Sequence, residues 1–328
     1  MPWCSGRCRC VRAQFWRQNW HPLHRYSPSA FSRWNCGMGT VLPLLAGGLL
    51  RFPLILAAYW FTVSAAAVFV FGAVLTIQGL LAAILPQRCG LEGNLDLPSH
   101  PIFAVDRIEQ TKKEIRASKL RIANLGSSAQ MYVEDPAKRE KELGDARRFI
   151  DLASTLGAPY VRVFGGKAES DKSAAPSDET KARVAAGLHE LGKYAGPRNV
   201  TVIIESHDHF TASATLKDVL RAADSEHVAL LWDAHHTFAT SSEDPEFTVR
   251  QLGPWIRHTH LKNSVGNGED RKYVLTGRGT VPIQRQIEAL RSIGYKGFYC
   301  FEWEKLWHPD IDDPEIAFAD YARVVGQC

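Results

Sequence analysis

Between Met1 and Gly90 this 328-residue chain has no aspartate, no glutamate and no lysine. The only charges there are eight arginines, Arg7, Arg9, Arg12, Arg17, Arg25, Arg33, Arg51 and Arg88, so the segment carries +8. The remainder holds 31 of the 39 Lys and Arg against all 35 Asp and Glu, and carries −4. The chain average, +4 with 45% apolar and 23% charged residues, therefore describes neither part. It does exclude a mostly disordered chain, a collagen-like repeat and a small disulfide scaffold. Cysteine is scarce in the acidic part, where only Cys300 and Cys328 occur. That excludes a disulfide framework and suits a reducing compartment. Cys4, Cys8 and Cys10 lie close together but lack the paired second half of a zinc knuckle. No glycine-rich dinucleotide fingerprint follows any apolar run, which argues against a Rossmann domain.

Residues 1–40 are rich in Arg, Trp and Cys, show neither helical nor strand periodicity, and read as a disordered leader. Residues 41–86 are hydrophobic, and Phe52–Pro86 contains no charged residue. A bilayer core takes about 20 residues to cross, and this run is longer. It reads either as a transmembrane helix or as a stretch translated from a misassigned gene start; a hydrophobic helix packed on the following domain is the third option. With arginine the only charge before it, an inserted helix would leave the N-terminus in the cytoplasm. A cleaved signal peptide fits poorly, because the run is too long and begins too late.

From Leu91 onward short apolar runs alternate with amphipathic segments, the pattern of an α/β domain. Strands are expected near residues 120, 160, 200, 230, 257 and 298, with a helix between each and a final helix over Pro314–Val325. Strict alternation favours a parallel sheet with right-handed crossovers. Four of these strands run into a metal-capable side chain: Ile204 is followed by Glu205, Trp232 by Asp233, Thr259 by His260 and Phe301 by Glu302. A βα repeat brings the C-terminal ends of its strands to one rim, where barrel enzymes place their chemistry. Singly, a carboxylate after an apolar strand is more often a helix cap. Repeated on successive strands, three carboxylates and one imidazole form a hard, oxygen-rich set suited to Mn²⁺, Mg²⁺ or Co²⁺, with Zn²⁺ also compatible.

The segments Ile204-Glu205-Ser206-His207-Asp208, Trp232-Asp233-Ala234-His235-His236, His258-Thr259-His260-Leu261-Lys262-Asn263, Gly277-Arg278-Gly279 and Gly294-Tyr295-Lys296-Gly297-Phe298, with Glu302-Trp303-Glu304, resemble the sugar phosphate isomerase/epimerase family of the xylose-isomerase-like TIM barrel superfamily. The likeness covers residues 90–328. It implies a TIM-type (β/α)8 barrel with one divalent ion, Mn²⁺ foremost, held by Glu205, Asp233, His260 and Glu302. It also implies that Glu205 and Glu302 work as an acid–base pair, one removing a proton beside a carbonyl and the other returning it through an enediolate. His236 matches a substrate-contacting histidine, and His207 and Lys262 are weaker candidates for contacts to a substrate hydroxyl or phosphate.

A full barrel needs eight strands, and the two that should precede residue 120 fall where the acid-free hydrophobic run lies. The barrel is therefore expected to be incomplete at its N-terminal end, its first one or two βα units missing or replaced. The expected partner is a small sugar or polyol; a membrane enters only through residues 52–86, and an oligomer is left open. The barrel domain is placed in the cytoplasm, or at a membrane if that run is a genuine anchor. A keto-inositol dehydratase using the same acid–base pair and a truncated, non-catalytic barrel are the alternatives. A type IV apurinic endonuclease is disfavoured, since a domain carrying −4 offers little attraction to phosphate.

Overall fold

The structure is a computed structural model that describes residues 9–12, 90–93, 101–118, 120–166 and 175–328. The contacts divide the chain into a unit made of residues 1–14 and 87–328 and a second unit, residues 15–86, which holds none of the described residues. The first unit is a closed barrel of eight parallel strands. In chain order these are β1 (Arg9–Arg12), β2 (Gly90–Gly93), β3 (Arg121–Gln130), β4 (Tyr160–Phe164), β5 (Thr201–Glu205), β6 (Val228–Asp233), β7 (Ile256–Leu261) and, after a short hairpin, β10 (Tyr299–Phe301). Closure runs through β1, which pairs with β10 on one side (Cys10 with Cys300) and with β2 on the other (Val11 with Leu91).

The two places expected to be missing or replaced are thus taken by four-residue strands. One of them, β1, lies inside the segment read as a disordered leader. The hydrophobic stretch 41–86 lies outside the described residues. The transmembrane helix read from composition is corrected: among the described residues no helix is long and apolar enough to cross a membrane. The longest described helix, Pro136–Leu156, has 21 residues but carries charged side chains such as Lys138, Glu142, Asp145 and Arg148, which are costly in a bilayer core.

Local signals set the helices around the barrel. Asp135 caps Pro136–Leu156, accepting from Lys138 N at 2.9 Å, and proline opens its first turn. Gly157, at φ 74°, ends that helix in a left-handed conformation that favours glycine. Ser177 caps Asp178–Ala195 in the same way. The segment between the last two barrel strands contains a small antiparallel hairpin of β8 (Asn263–Val265) and β9 (Lys272–Val274). Sequence alternation is too short there to reveal it.

Strand alternation sorts the side chains onto two faces. Val161, Val163, Val202, Ile204, Leu230, Trp232 and Phe301 join the main core between sheet and helices. Ile203, Ala229 and Leu231 form a separate cluster on the opposite, inward face, as do Ala123 and Cys300. Each strand's inward register therefore skips every second residue, and the last inward position of β5 and of β6 is a carboxylate, Glu205 and Asp233.

Candidate active site and metal centre

Continuing that register, Glu205 ends β5, Asp233 ends β6, His260 lies one residue before the end of β7 and Glu302 follows β10. Asp233 is the backbone partner of His260, and His260 of Cys300. One ligand atom from each of Glu205, Asp233, His260 and Glu302 falls within 4.8 Å of the others, and all four residues are buried. The four strand-end residues singled out in the sequence thus converge on one point.

Asp233 serves two ends at once. Its Oδ1 accepts from the backbone N–H groups of His235 at 2.9 Å and His236 at 3.1 Å, capping the short helix Ala234–Ala239. Its Oδ2, also fully buried, has no well-aligned hydrogen bond and faces Lys262 Nζ at 3.0 Å and His236 Nε2 at 3.3 Å. A buried carboxylate oxygen is costly unless charge compensates it, and a cation is the group that does so. Ser206 fixes the strand end behind it, accepting from Asp233 N at 2.7 Å.

Two cations enter this carboxylate cluster. Arg162, on the inward face of β4, donates from Nη1 to Glu205 Oε2, and both side chains are 1% exposed. Its guanidinium lies 4.0 Å from the centre of the Phe164 ring. His260 Nδ1 lies 3.0 Å from the other oxygen, Glu205 Oε1. Burial alone would raise the Glu205 pKa, but the Arg162 charge and then His260 hold it well below the usual carboxylate range. Lys262 Nζ lies 2.6 Å from Glu302 Oε2, 3.0 Å from Asp233 Oδ2 and 2.7 Å from Glu304 Oε1. Burial opposes its charge, yet Asp233 and Glu304 raise its pKa above the ordinary lysine value.

Four carboxylates, Glu205, Asp233, Glu302 and Glu304, therefore face two permanent cations, and the excess of two negative charges is what a divalent ion would cancel. Donor chemistry, mutual distance and the buried Asp233 oxygen turned toward the cluster all fit such an ion, with Glu205, Asp233, His260 and Glu302 as the residues that would hold it. Among the described residues two other groups have ligand-like spacing, Asp233 with His235 and His236, and His258 with His260 and Cys300; each borrows a residue from the main set.

The rim is lined with rings. His207 packs 5.0 Å from Phe164 and 4.7 Å from His236, His235 lies 5.3 Å from His236, and Tyr273 bridges His235 and His308 at 5.5 and 4.9 Å. His236 Nε2 is 3.3 Å from Asp233 Oδ2 and 3.2 Å from Lys262 Nζ. Burial, and then the Lys262 charge, push its pKa well below the usual histidine value, so the imidazole is neutral at pH 7. His207 stands further out, one-third exposed. Of the three substrate-contact candidates, His236 and Lys262 touch the four-residue cluster, whereas His207 packs on the His236 ring and acts on Glu205 through its charge.

Four contributors went unassigned in the sequence reading: Arg162, Glu304, His235 and Tyr273. Arg162 had a legible signal, a charged residue between Val161 and Val163 in an otherwise apolar strand. Glu304 and Tyr273 are brought in by a loop and the hairpin, whose course has no periodic signature, and His235 by the six-residue helix that follows Asp233.

A family described as xylose isomerase-like TIM barrel matches residues 90–320. An inosose dehydratase of Bacillus thuringiensis (strain Al Hakam) is 25% identical over 161 residues, 43% of this chain and 50% of its own length. The chain thus spans about half the length of the curated relatives it matches. Among solved structures, the 3-keto-D-glucoside 4-epimerase YcjR of E. coli superposes with a TM-score of 0.58 at 17% identity, covering 73% of this chain and 89% of that one. The IOLI protein, solved with a bound zinc atom, gives 0.59 at 16% identity, covering 72% and 88%. At these identities the two structures speak to the fold alone.

Proposed function

The chain belongs to the xylose isomerase-like TIM barrel family, and on that premise we propose that it is a divalent-metal-dependent isomerase or epimerase of a small sugar or polyol. The observation that carries this reading is the convergence of Glu205, Asp233, His260 and Glu302 within 4.8 Å at the C-terminal ends of their strands. A divalent ion held there would supply Lewis-acid polarisation of a carbonyl and its neighbouring hydroxyl, stabilising an enediolate. Glu205 and Glu302 are the acid–base pair: one takes the proton from the carbon beside the carbonyl, and the other delivers a proton to the opposite face. Arg162 keeps Glu205 ionised at neutral pH, so it enters the cycle as a proton acceptor. Neutral His236 and the outlying His207 offer ring nitrogens to substrate hydroxyls, and Lys262 donates to Glu302. Epimerisation of one or more keto-sugars, followed by proton NMR with and without added Mn²⁺, tests the reading; wild-type protein inert on every keto-sugar tried, metal present, argues against it.

The inosose dehydratase relatives favour a second reading on the same site. There the proton beside the carbonyl goes to one carboxylate and a hydroxyl one carbon further leaves as water, with a proton from the other. Loss of water leaves a conjugated enone, so ultraviolet absorbance on incubation with a keto-inositol separates this reading from the first.

A further inference from the structure

Lys262 divides its ammonium between two kinds of partner. Asp233 Oδ2, at 3.0 Å, and Glu302 Oε2, at 2.6 Å, belong to the set that would hold a divalent ion; Glu304 Oε1, at 2.7 Å, does not. We propose that Lys262 is a tethered counter-cation that competes with the divalent ion: with no ion bound it neutralises Asp233 and Glu302, and on ion binding it withdraws to Glu304. The proposal rests on the metal site described above.

Three carboxylates this close and this buried repel one another unless each has a cation. Arg162 serves Glu205 from the side away from His260, on Oε2 rather than Oε1, and is held over the Phe164 ring. Its planar fork is fixed in that place. Asp233 and Glu302 have Lys262, whose charge is a single point on a flexible four-carbon stem and can move without the backbone moving. Glu304 gives that stem somewhere to go: it is 17% exposed, against 0% for Asp233 and 4% for Glu302. The Tyr273 ring, centred 5.4 Å from Nζ, flanks the same position. A lysine that only braced the ligands from outside would have no need of a carboxylate beyond the ligand set.

Competition and bracing predict opposite signs. Mn²⁺ binding to the full chain is measured by calorimetry for wild type, Lys262→Met and Glu304→Gln, with the melting temperature of each metal-free protein. Lys262→Met should bind Mn²⁺ roughly tenfold more tightly, since a positive charge beside the ion is gone, and should melt lower without metal. Glu304→Gln, which deprives the ammonium of its alternative partner, should bind Mn²⁺ about threefold more weakly or worse. Equal or weaker binding by Lys262→Met overturns the proposal. If that variant does not fold, Glu304→Gln decides alone, and unchanged or tighter binding overturns it. Wild-type protein that binds no Mn²⁺ removes the metal site itself, an outcome distinct from a metal site on which Lys262 does not compete.

Discussion

Arg162 donates from Nη1 to Glu205 Oε2 inside the barrel, and each side chain is 1% exposed. With His260 Nδ1 3.0 Å from Oε1, both oxygens of this carboxylate are engaged. Removing one partner of such a pair leaves the other charge uncompensated, at a cost of about 3–5 kcal/mol. Arg162→Met should lose stability on that scale in chemical denaturation. The double variant Arg162→Met/Glu205→Gln should lose much less than the sum of the two single changes. Additive losses would mean that the two residues do not act as a pair.

Glu205→Gln and Glu302→Gln each remove a carboxylate while preserving shape. Either should lower turnover about 10²- to 10⁴-fold, the range of a lost general acid or base, with an unchanged far-ultraviolet circular dichroism spectrum. Full activity in both variants would exclude them as the proton-transfer pair.

What was legible in the sequence follows from periodicity. Each apolar strand that ends at or beside Glu205, Asp233, His260 or Glu302 alternates faces with period two, and the βα repeat aligns strand ends; together these bring the four residues to one rim. The helix-cap alternative weighed for such carboxylates also holds at Asp233, where one oxygen caps a helix and the other faces the cluster. Arg162 was legible by the same alternation. Glu304 and Tyr273 were not, because their places depend on a loop and on the hairpin Asn263–Val265 with Lys272–Val274; nor was His235, whose helix of six residues is too short for a period to show. The closing strands Arg9–Arg12 and Gly90–Gly93 were not legible either: four residues are too few for a period to show.

His235 ties stability to pH. It is fully buried, and burial, followed by the Lys262 and Arg271 charges, pushes its pKa down to about 2. Below the ordinary histidine value of about 6.5 the unfolded chain takes up a proton that the folded chain refuses. Stability should therefore fall as pH drops below 6.5, by at most about 1.4 kcal/mol per pH unit from this group. Denaturation midpoints between pH 7.5 and 5 should show this slope in wild type and a shallower one in His235→Gln. Equal slopes would show that His235 is not the residue responsible.

Gly279 is required by close approach. A Cβ there would sit 1.9 Å from Asn263 Oδ1 and 2.7 Å from Ser264 O, and Asn263 Oδ1 accepts from the N–H groups of Ser264 and Val281, both at 2.9 Å. Gly279→Ala should cost about 1–3 kcal/mol by thermal denaturation. Gly277→Ala, whose Cβ would come no closer than 3.2 Å to the mobile ends of Arg323 and Val324, should cost clearly less. Equal losses would contradict the packing described here.

A divalent ion that binds only the folded chain must stabilise it. Mn²⁺ at about 100 times its dissociation constant should add about 2.7 kcal/mol, and a chelator should reverse the gain. Asp233→Asn, which removes one charge from the ligand set, should lower the response.

The central claim is that Glu205 and Glu302 move a proton beside a substrate carbonyl at a metal-bearing site. Its most direct test is incubation of the Mn²⁺-loaded protein with a panel of keto-sugars and keto-inositols in D₂O, read by NMR. The account predicts deuterium at the carbon next to the carbonyl of at least one compound, and none with Glu205→Gln/Glu302→Gln. Exchange that persists undiminished in the double variant, or no exchange with any compound in the panel, would contradict it.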